Sequence, residues 1–221
     1  MELAEEILRR LREEFKTSAK LLISKIMGKY REPFHLLIGT ILSQNTNDKN
    51  SIRAFTNLAS KFELRPEVLA SANISEIEEA IKIGGLYRNK ARKIVDLSKI
   101  IVNEYNGRFE ELLKGDLNEV RERLLKLPGI GPKTADIVLL FYLKKPVIPI
   151  DTHIKRVSKR LKLTSKSGYE DIRRALQSIF RESDYLDVHF LLILLGREYC
   201  KARNPLCDKC PLSDLCPSSN R

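Results

Sequence analysis

No cysteine occurs before Cys200, tryptophan is absent, and methionine occurs only twice in 221 residues. A chain of this length buries a sizeable core without covalent staples, so stability does not call for disulfides. Long apolar runs are missing too: the longest, residues 137–143, is far too short to span a bilayer. The first ten residues, MELAEEILRR, are charged and helix-patterned, with no apolar segment ahead of a cleavage site, so no secretory signal is read. These absences lead us to expect a cytoplasmic protein with no membrane association. In that reducing setting, clustered cysteines bind metal more often than they pair.

Acid is also in short supply. Asp and Glu number 29 against 40 Lys and Arg, a net charge of +11 that favours a polyanionic partner such as nucleic acid. The excess is concentrated: residues 144–166 hold eight basic side chains (Lys144, Lys145, Lys155, Arg156, Lys159, Arg160, Lys162, Lys166) and one acid, Asp151. A second cluster is Arg88, Lys90, Arg92 and Lys93. Either run also fits a solvated helix face.

Apolar residues recur with helical spacing at Val120, Leu124 and Leu127, and again at Ile150, Ile154, Val157 and Leu161. No stretch alternates in the manner of a strand, so the expected class is all-α. Turn signals stand at 71–75, Gly84-Gly85, Asn106-Gly107, Gly115-Asp116 and Pro128-Gly129. The segment 127–135, LPGIGPKTA, sets a Gly-rich turn between two helical patterns. Pro132 suits the first position of the second helix. Amides around Gly129, Ile130 and Gly131, with the positive end of that helix, form a seat for a DNA phosphate, the pattern of a helix-hairpin-helix element. An ordinary αα-hairpin turn has the same outline.

Lys133 falls in the first turn of that helix, where the macrodipole disfavours a cation. With basic neighbours and partial burial acting the same way, its amine becomes a candidate nucleophile for imine chemistry; a phosphate-contacting lysine is the alternative. Asp151 opens an amphipathic helix and reads as an N-cap, a role compatible with steadying positive charge on a sugar. His35, His153 and His189 are read as structural. The cysteines, Cys200, Cys207, Cys210 and Cys216, are spaced C-x6-C-x2-C-x5-C. Four thiols with a single C-x2-C suit an iron–sulfur centre better than paired-knuckle zinc, with zinc or two disulfides as alternatives.

Residues 127–135, then 150–157 (IDTHIKRV), then the cysteine spacing, together resemble endonuclease III, a DNA glycosylase family of the helix-hairpin-helix superfamily. Residues 33–43 and 83–91 match in the same order, so the resemblance runs nearly the whole chain. It implies base excision repair of oxidised pyrimidines of the thymine glycol type from duplex DNA. The target nucleotide is extruded into a pocket between two helical domains. Lys133 takes the position of the nucleophile that forms a Schiff base before β-elimination, and Asp151 that of the essential carboxylate. Leu86 takes that of an apolar wedge, though on residue type alone it reads as core. Gly129, Ile130, Gly131 and Thr134 fall on the DNA-contacting hairpin, and the four cysteines on the ligands of a [4Fe–4S] cluster. Lys201, Arg203 and Lys209 lie in the loop that such a cluster would tie down.

The family pattern is not reproduced everywhere. Residues 44–48 read Gln-Asn-Thr-Asn-Asp, closer to archaeal members than to bacterial ones, so either Gln44 or Asn45 fills the gap beside the orphaned base. The implied fold has a six-helix domain at 26–145 and a cluster domain from 1–25 plus 146–221, with DNA in the groove between them, in a protein acting as a monomer. A monofunctional mismatch glycosylase is the alternative enzyme, against which Lys133 speaks. A non-catalytic helix-hairpin-helix DNA-binding protein is the alternative outside catalysis.

Overall fold

The computed structural model describes residues 2–18 and 32–219, and among them every regular element is a helix. The chain divides into two compact units, Tyr30–Val138 and Met1–Lys29 with Leu139–Arg221. The change-over falls not at residue 145 but inside a helix, where Phe141 already packs against Phe190 with the rings tilted and their centroids 5.5 Å apart. The other anticipated boundary, at 25/26, lies outside the described residues.

In the unit Tyr30–Val138, helix starts follow local chemistry. Proline occupies the first position of α2 (Pro33–Ser43), and caps with side-chain oxygens open others: Asn47 accepts from the Asn50 N–H at 2.9 Å before α3 (Asp48–Lys61). Then follow α4 (Pro66–Ser71) and α5 (Ile74–Ile81), the latter capped by Asn73. The nineteen-residue α6 (Tyr87–Tyr105) packs against α2, α4 and α5 and buries Ala91, Ile94, Leu97 and Ile101. It stops where Asn106 and Gly107 turn left-handed, and both of their N–H groups donate to the Ile101 carbonyl. After the short α7 (Phe109–Leu112), Asp116 caps α8 (Leu117–Lys126), which leads through the Gly-rich turn into α9 (Pro132–Phe141).

α8 and α9 are held together inside the protein by an ion pair. Arg121 Nε donates to Asp136 Oδ1 at 2.6 Å, and both residues are buried. A guanidinium and a carboxylate taken out of water together are expensive to separate, since removing one strands the other.

The other unit gathers α1 (Glu2–Glu14), α10 (Thr152–Arg160), α11 (Tyr169–Ile179) and α12 (Tyr185–Glu198) around one core. α12 is buried from Val188 to Gly196 on every side, which explains its apolar run from Phe190 to Leu195. Ile7, Leu8 and Leu11 of α1 join Ile154 and Val157 of α10 in that core. α10 crosses α12 so closely that a Cβ on Gly196 would stand 2.8 Å from the His153 Cβ. No helix among the described residues is long and apolar enough to cross a membrane.

Arg121→Ala is expected to destabilise the unit carrying the hairpin by about 3–5 kcal/mol in urea unfolding, as for a broken buried pair. A loss under about 1 kcal/mol, the range of exposed pairs, would show that water reaches the site.

Candidate nucleic-acid interface and metal centre

The Gly-rich turn owes its shape to Gly129. Its φ is +81°, and a Cβ there would meet Lys93 at 3.0 Å and Ile41 at 3.3 Å, so both backbone and space demand glycine. Neither demand applies at Gly131, which is exposed, with nothing within 4 Å of where a Cβ would lie. Ile130 and Thr134 differ from their glycine neighbours. The Ile130 side chain is buried and its N–H donates to the Leu127 carbonyl at 3.1 Å; Thr134 is buried too, and its N–H donates to the Gly131 carbonyl at 3.0 Å. The Gly129 and Gly131 amides take no acceptor among the described residues. Lys133, second in α9, is exposed, so the partial burial anticipated for it is not there.

Two other loops of the same unit carry sequence candidates. Leu86 is 60% exposed at φ +50°, so residue type misleads in suggesting core. A left-handed, solvent-exposed leucine is doubly unfavourable, a combination typical of functional positions. Gln44 is half-buried and occupied at both ends of its amide. Its Nε2 donates to the Gly129 carbonyl at 2.8 Å, and its Oε1 accepts from Lys93 Nζ at 3.2 Å. Asn45, also left-handed at φ +52°, is exposed.

Asp151 sits in the other unit. Its Oδ1 accepts from the Ile154 N–H at 2.7 Å, which makes it the N-cap of α10 and leaves the half-buried carboxylate rigidly held. The histidines are structural: His189 Nδ1 lies 2.9 Å from the Pro149 carbonyl, His35 Nε2 3.1 Å from that of Leu64, and His153 Nδ1 3.1 Å from Arg156.

The four cysteines are unpaired and line one cavity of about 350 Å³, with Arg160, Tyr199 and Leu206. Burial raises the Cys210 thiol, and the other three sulfurs add to the shift. Four thiols facing a shared space is the donor set of a [4Fe–4S] cluster. Among the described residues no three His, Cys, Asp or Glu side chains converge on one point as ligands of a single ion do.

Two arginines counted above as basic excess turn inward to this loop. Arg156 donates to the carbonyls of Gly196 and Cys200, both at 2.8 Å. Arg160 donates to the carbonyls of Lys201 at 2.7 Å and Ala202 at 3.2 Å and points Nη1 at the Cys200 sulfur at 3.4 Å. Lys201, Arg203 and Lys209 face solvent, as do Lys155, Lys159, Lys162 and Lys166. Sequence reasoning also missed that Lys90 is buried, since a lysine between Arg88 and Arg92 carries no mark of it.

The model of the HhH-GPD superfamily of base excision DNA repair proteins matches residues 38–182, and that of the iron-sulfur binding domain of endonuclease III matches residues 200–216. Endonuclease III of Sulfolobus acidocaldarius is 41% identical over 219 residues, 98% of this chain and 96% of the relative. The chain belongs to the endonuclease III family. Endonuclease III of Thermotoga maritima is 39% identical, with 85% of this chain and 84% of the relative covered. A trapped endonuclease III–DNA covalent intermediate aligns with TM-score 0.75 and 32% identity over 94% of this chain and 96% of that one. As a member of the endonuclease III family, the protein is a DNA glycosylase with AP lyase activity, it binds DNA, and its cofactor is a [4Fe–4S] cluster. Cys200, Cys207, Cys210 and Cys216 are the residues that would hold the cluster, whose iron–sulfur bonds cross-link the loop when it is bound.

Cys207→Ser is expected to lower iron per chain and visible absorbance together. Arg160→Ala should load the same iron as wild type but lose it faster to a chelator. An unchanged release rate would mean that the guanidinium does not hold the loop.

Proposed function

We propose that this protein, acting as a monomer, excises oxidised pyrimidines from duplex DNA and then cuts the strand, with Lys133 as nucleophile and Asp151 as the assisting carboxylate. Exposure of Lys133, two residues past Gly131 of the Gly-rich turn, is the observation that carries the reading. The Gly129 and Gly131 amides offer a phosphate two donors at the positive end of α9, and the clear space over Gly131 lets a backbone approach. Ile130 and Thr134 serve that seat by packing beneath it.

With the nucleotide held there, the Lys133 amine attacks the anomeric carbon as the bond to the base breaks, and the base leaves with a proton. The sugar ring then opens: the C1′–O4′ bond breaks as the nitrogen lone pair forms the C=N bond, and O4′ takes up a proton as the nitrogen gives up its second, which leaves an imine. Abstraction of the C2′ proton then expels the 3′ phosphate by β-elimination, and hydrolysis of the imine frees Lys133. The Lys133 amine must be deprotonated before it attacks, and this reading gives the Asp151 carboxylate the task of accepting that proton.

Leu86 supplies the wedge in this reading: an exposed apolar side chain on a strained turn is suited to enter the gap in the base stack. Between the two gap-filling candidates, geometry favours Asn45. The Gln44 amide already has a partner at each end, whereas Asn45 projects into solvent with its hydrogen-bonding groups available to the orphaned base.

Borohydride trapping on a duplex with one thymine glycol tests the chemistry. A covalent adduct for wild type that disappears in Lys133→Ala supports the imine route; no wild-type adduct on this lesion or on an abasic site, despite binding, overturns it. Asn45→Ala should shift the ratio of excision rates opposite guanine and adenine by up to about tenfold, the worth of a hydrogen bond. Gln44→Ala should instead weaken DNA binding whatever the opposite base. The reverse pattern would assign the gap to Gln44.

A further inference from the structure

Lys90 is 2% exposed, and its Nζ donates to two main-chain oxygens, Leu42 at 2.9 Å and Gly84 at 2.8 Å. No carboxylate stands within ion-pair distance of it among the described residues. An ammonium buried this way is costly to keep. Burial and the neighbouring Lys93 both drive its pKa down, so carbonyl oxygens alone hold the charge in place. A core with no further task would be served by an apolar side chain.

What the two carbonyls have in common is their position. Leu42 lies in the last turn of α2, where helix carbonyls have no partner of their own, two residues ahead of Gln44 and three ahead of Asn45. Gly84 closes the short turn before α6, two residues ahead of Leu86. Both segments then become left-handed, at Asn45 on one side and at Gly85 and Leu86 on the other. One helical turn further along α6, Lys93 holds Gln44, which in turn holds the Gly129 carbonyl.

We infer that Lys90 is a positioning residue whose ammonium clamps the gap-filling loop and the wedge turn into one frame, so that Asn45 and Leu86 enter the base stack together. The inference rests on the roles given to those two residues above. A flexible stem ending in three donors suits the task, since one group must reach two oxygens from different segments. Neither Lys90 hydrogen bond goes to the hairpin seat or to Lys133, so catalysis feels the clamp through base extrusion.

The test places 2-aminopurine, whose fluorescence rises on unstacking, beside a thymine glycol and uses Lys133→Ala protein so that no bond is cut. Added Lys90→Met should bind the duplex but lose most of the fluorescence rise. With Lys133 intact, Lys90→Met should slow excision of the intact lesion by about ten- to a hundredfold, as small misplacements do. Nicking of an abasic site, which needs no base extruded, should fall far less. Leu86→Ala should remove most of the effect of Lys90→Met, and Lys90→Arg, which keeps donors for both oxygens, should restore part of the fluorescence. If Lys90→Met does not fold, Lys90→Arg against wild type carries the comparison, with a partial loss of the fluorescence rise expected.

Equal losses on lesion and abasic site, an unchanged fluorescence rise, or effects of Leu86→Ala and Lys90→Met that simply multiply would each overturn the clamp. None of those outcomes touches borohydride trapping through Lys133, so the two readings fail separately.

Discussion

A long cationic side chain reaching main-chain carbonyls at a helix end is the interaction on which both functional regions rest. Lys90 does this for the end of α2 and the turn before α6, and Arg156 and Arg160 do it for the end of α12 and the cysteine loop. An all-helical chain leaves four carbonyls without intrahelical partners at the C-terminal end of each helix, and loops that must keep an irregular shape cannot satisfy them with secondary structure. Cations supply donors at long reach without imposing a backbone conformation. Part of the basic excess behind the net charge of +11 therefore turns inside the protein, and the remainder is exposed.

Much of the scaffold was legible from residue types alone. Helical spacing located α8 and α10, the Asp151 cap follows from a carboxylate heading an amphipathic run, and the cysteine spacing pointed to a cluster. These features are local, encoded within a few residues. The inward turn of Lys90, Arg156 and Arg160 is not local, because each depends on at least one partner forty or more residues away along the chain. Leu86 shows the reverse error: leucine suggests core, and only the left-handed turn of the native backbone turns it outward.

Strain and support are paired in the hairpin-bearing unit. Asn45 and Leu86 both hold left-handed backbone, and each follows a carbonyl fixed by Lys90. Gly129 holds its own positive φ with Ile41 and Lys93 pressed against it, and its carbonyl is fixed by Gln44. Unfavourable conformations persist only where surrounding contacts over-determine them. The buried Arg121–Asp136 pair adds the same kind of rigidity behind α9, setting the helix from which Lys133 projects.

The core shared by α1 and α12 bears on the order in which the chain acquires structure. Ile7, Leu8 and Leu11 share that core with Leu191, Leu192 and Leu195 of α12, against which α1 packs. During synthesis α1 leaves the ribosome well before α12, against which its apolar face packs, has been made. The contiguous unit Tyr30–Val138 has no such wait. It can fold while the remainder is being made, so that the interval before α1 docks is spent beside a finished domain and not beside a long unfolded chain.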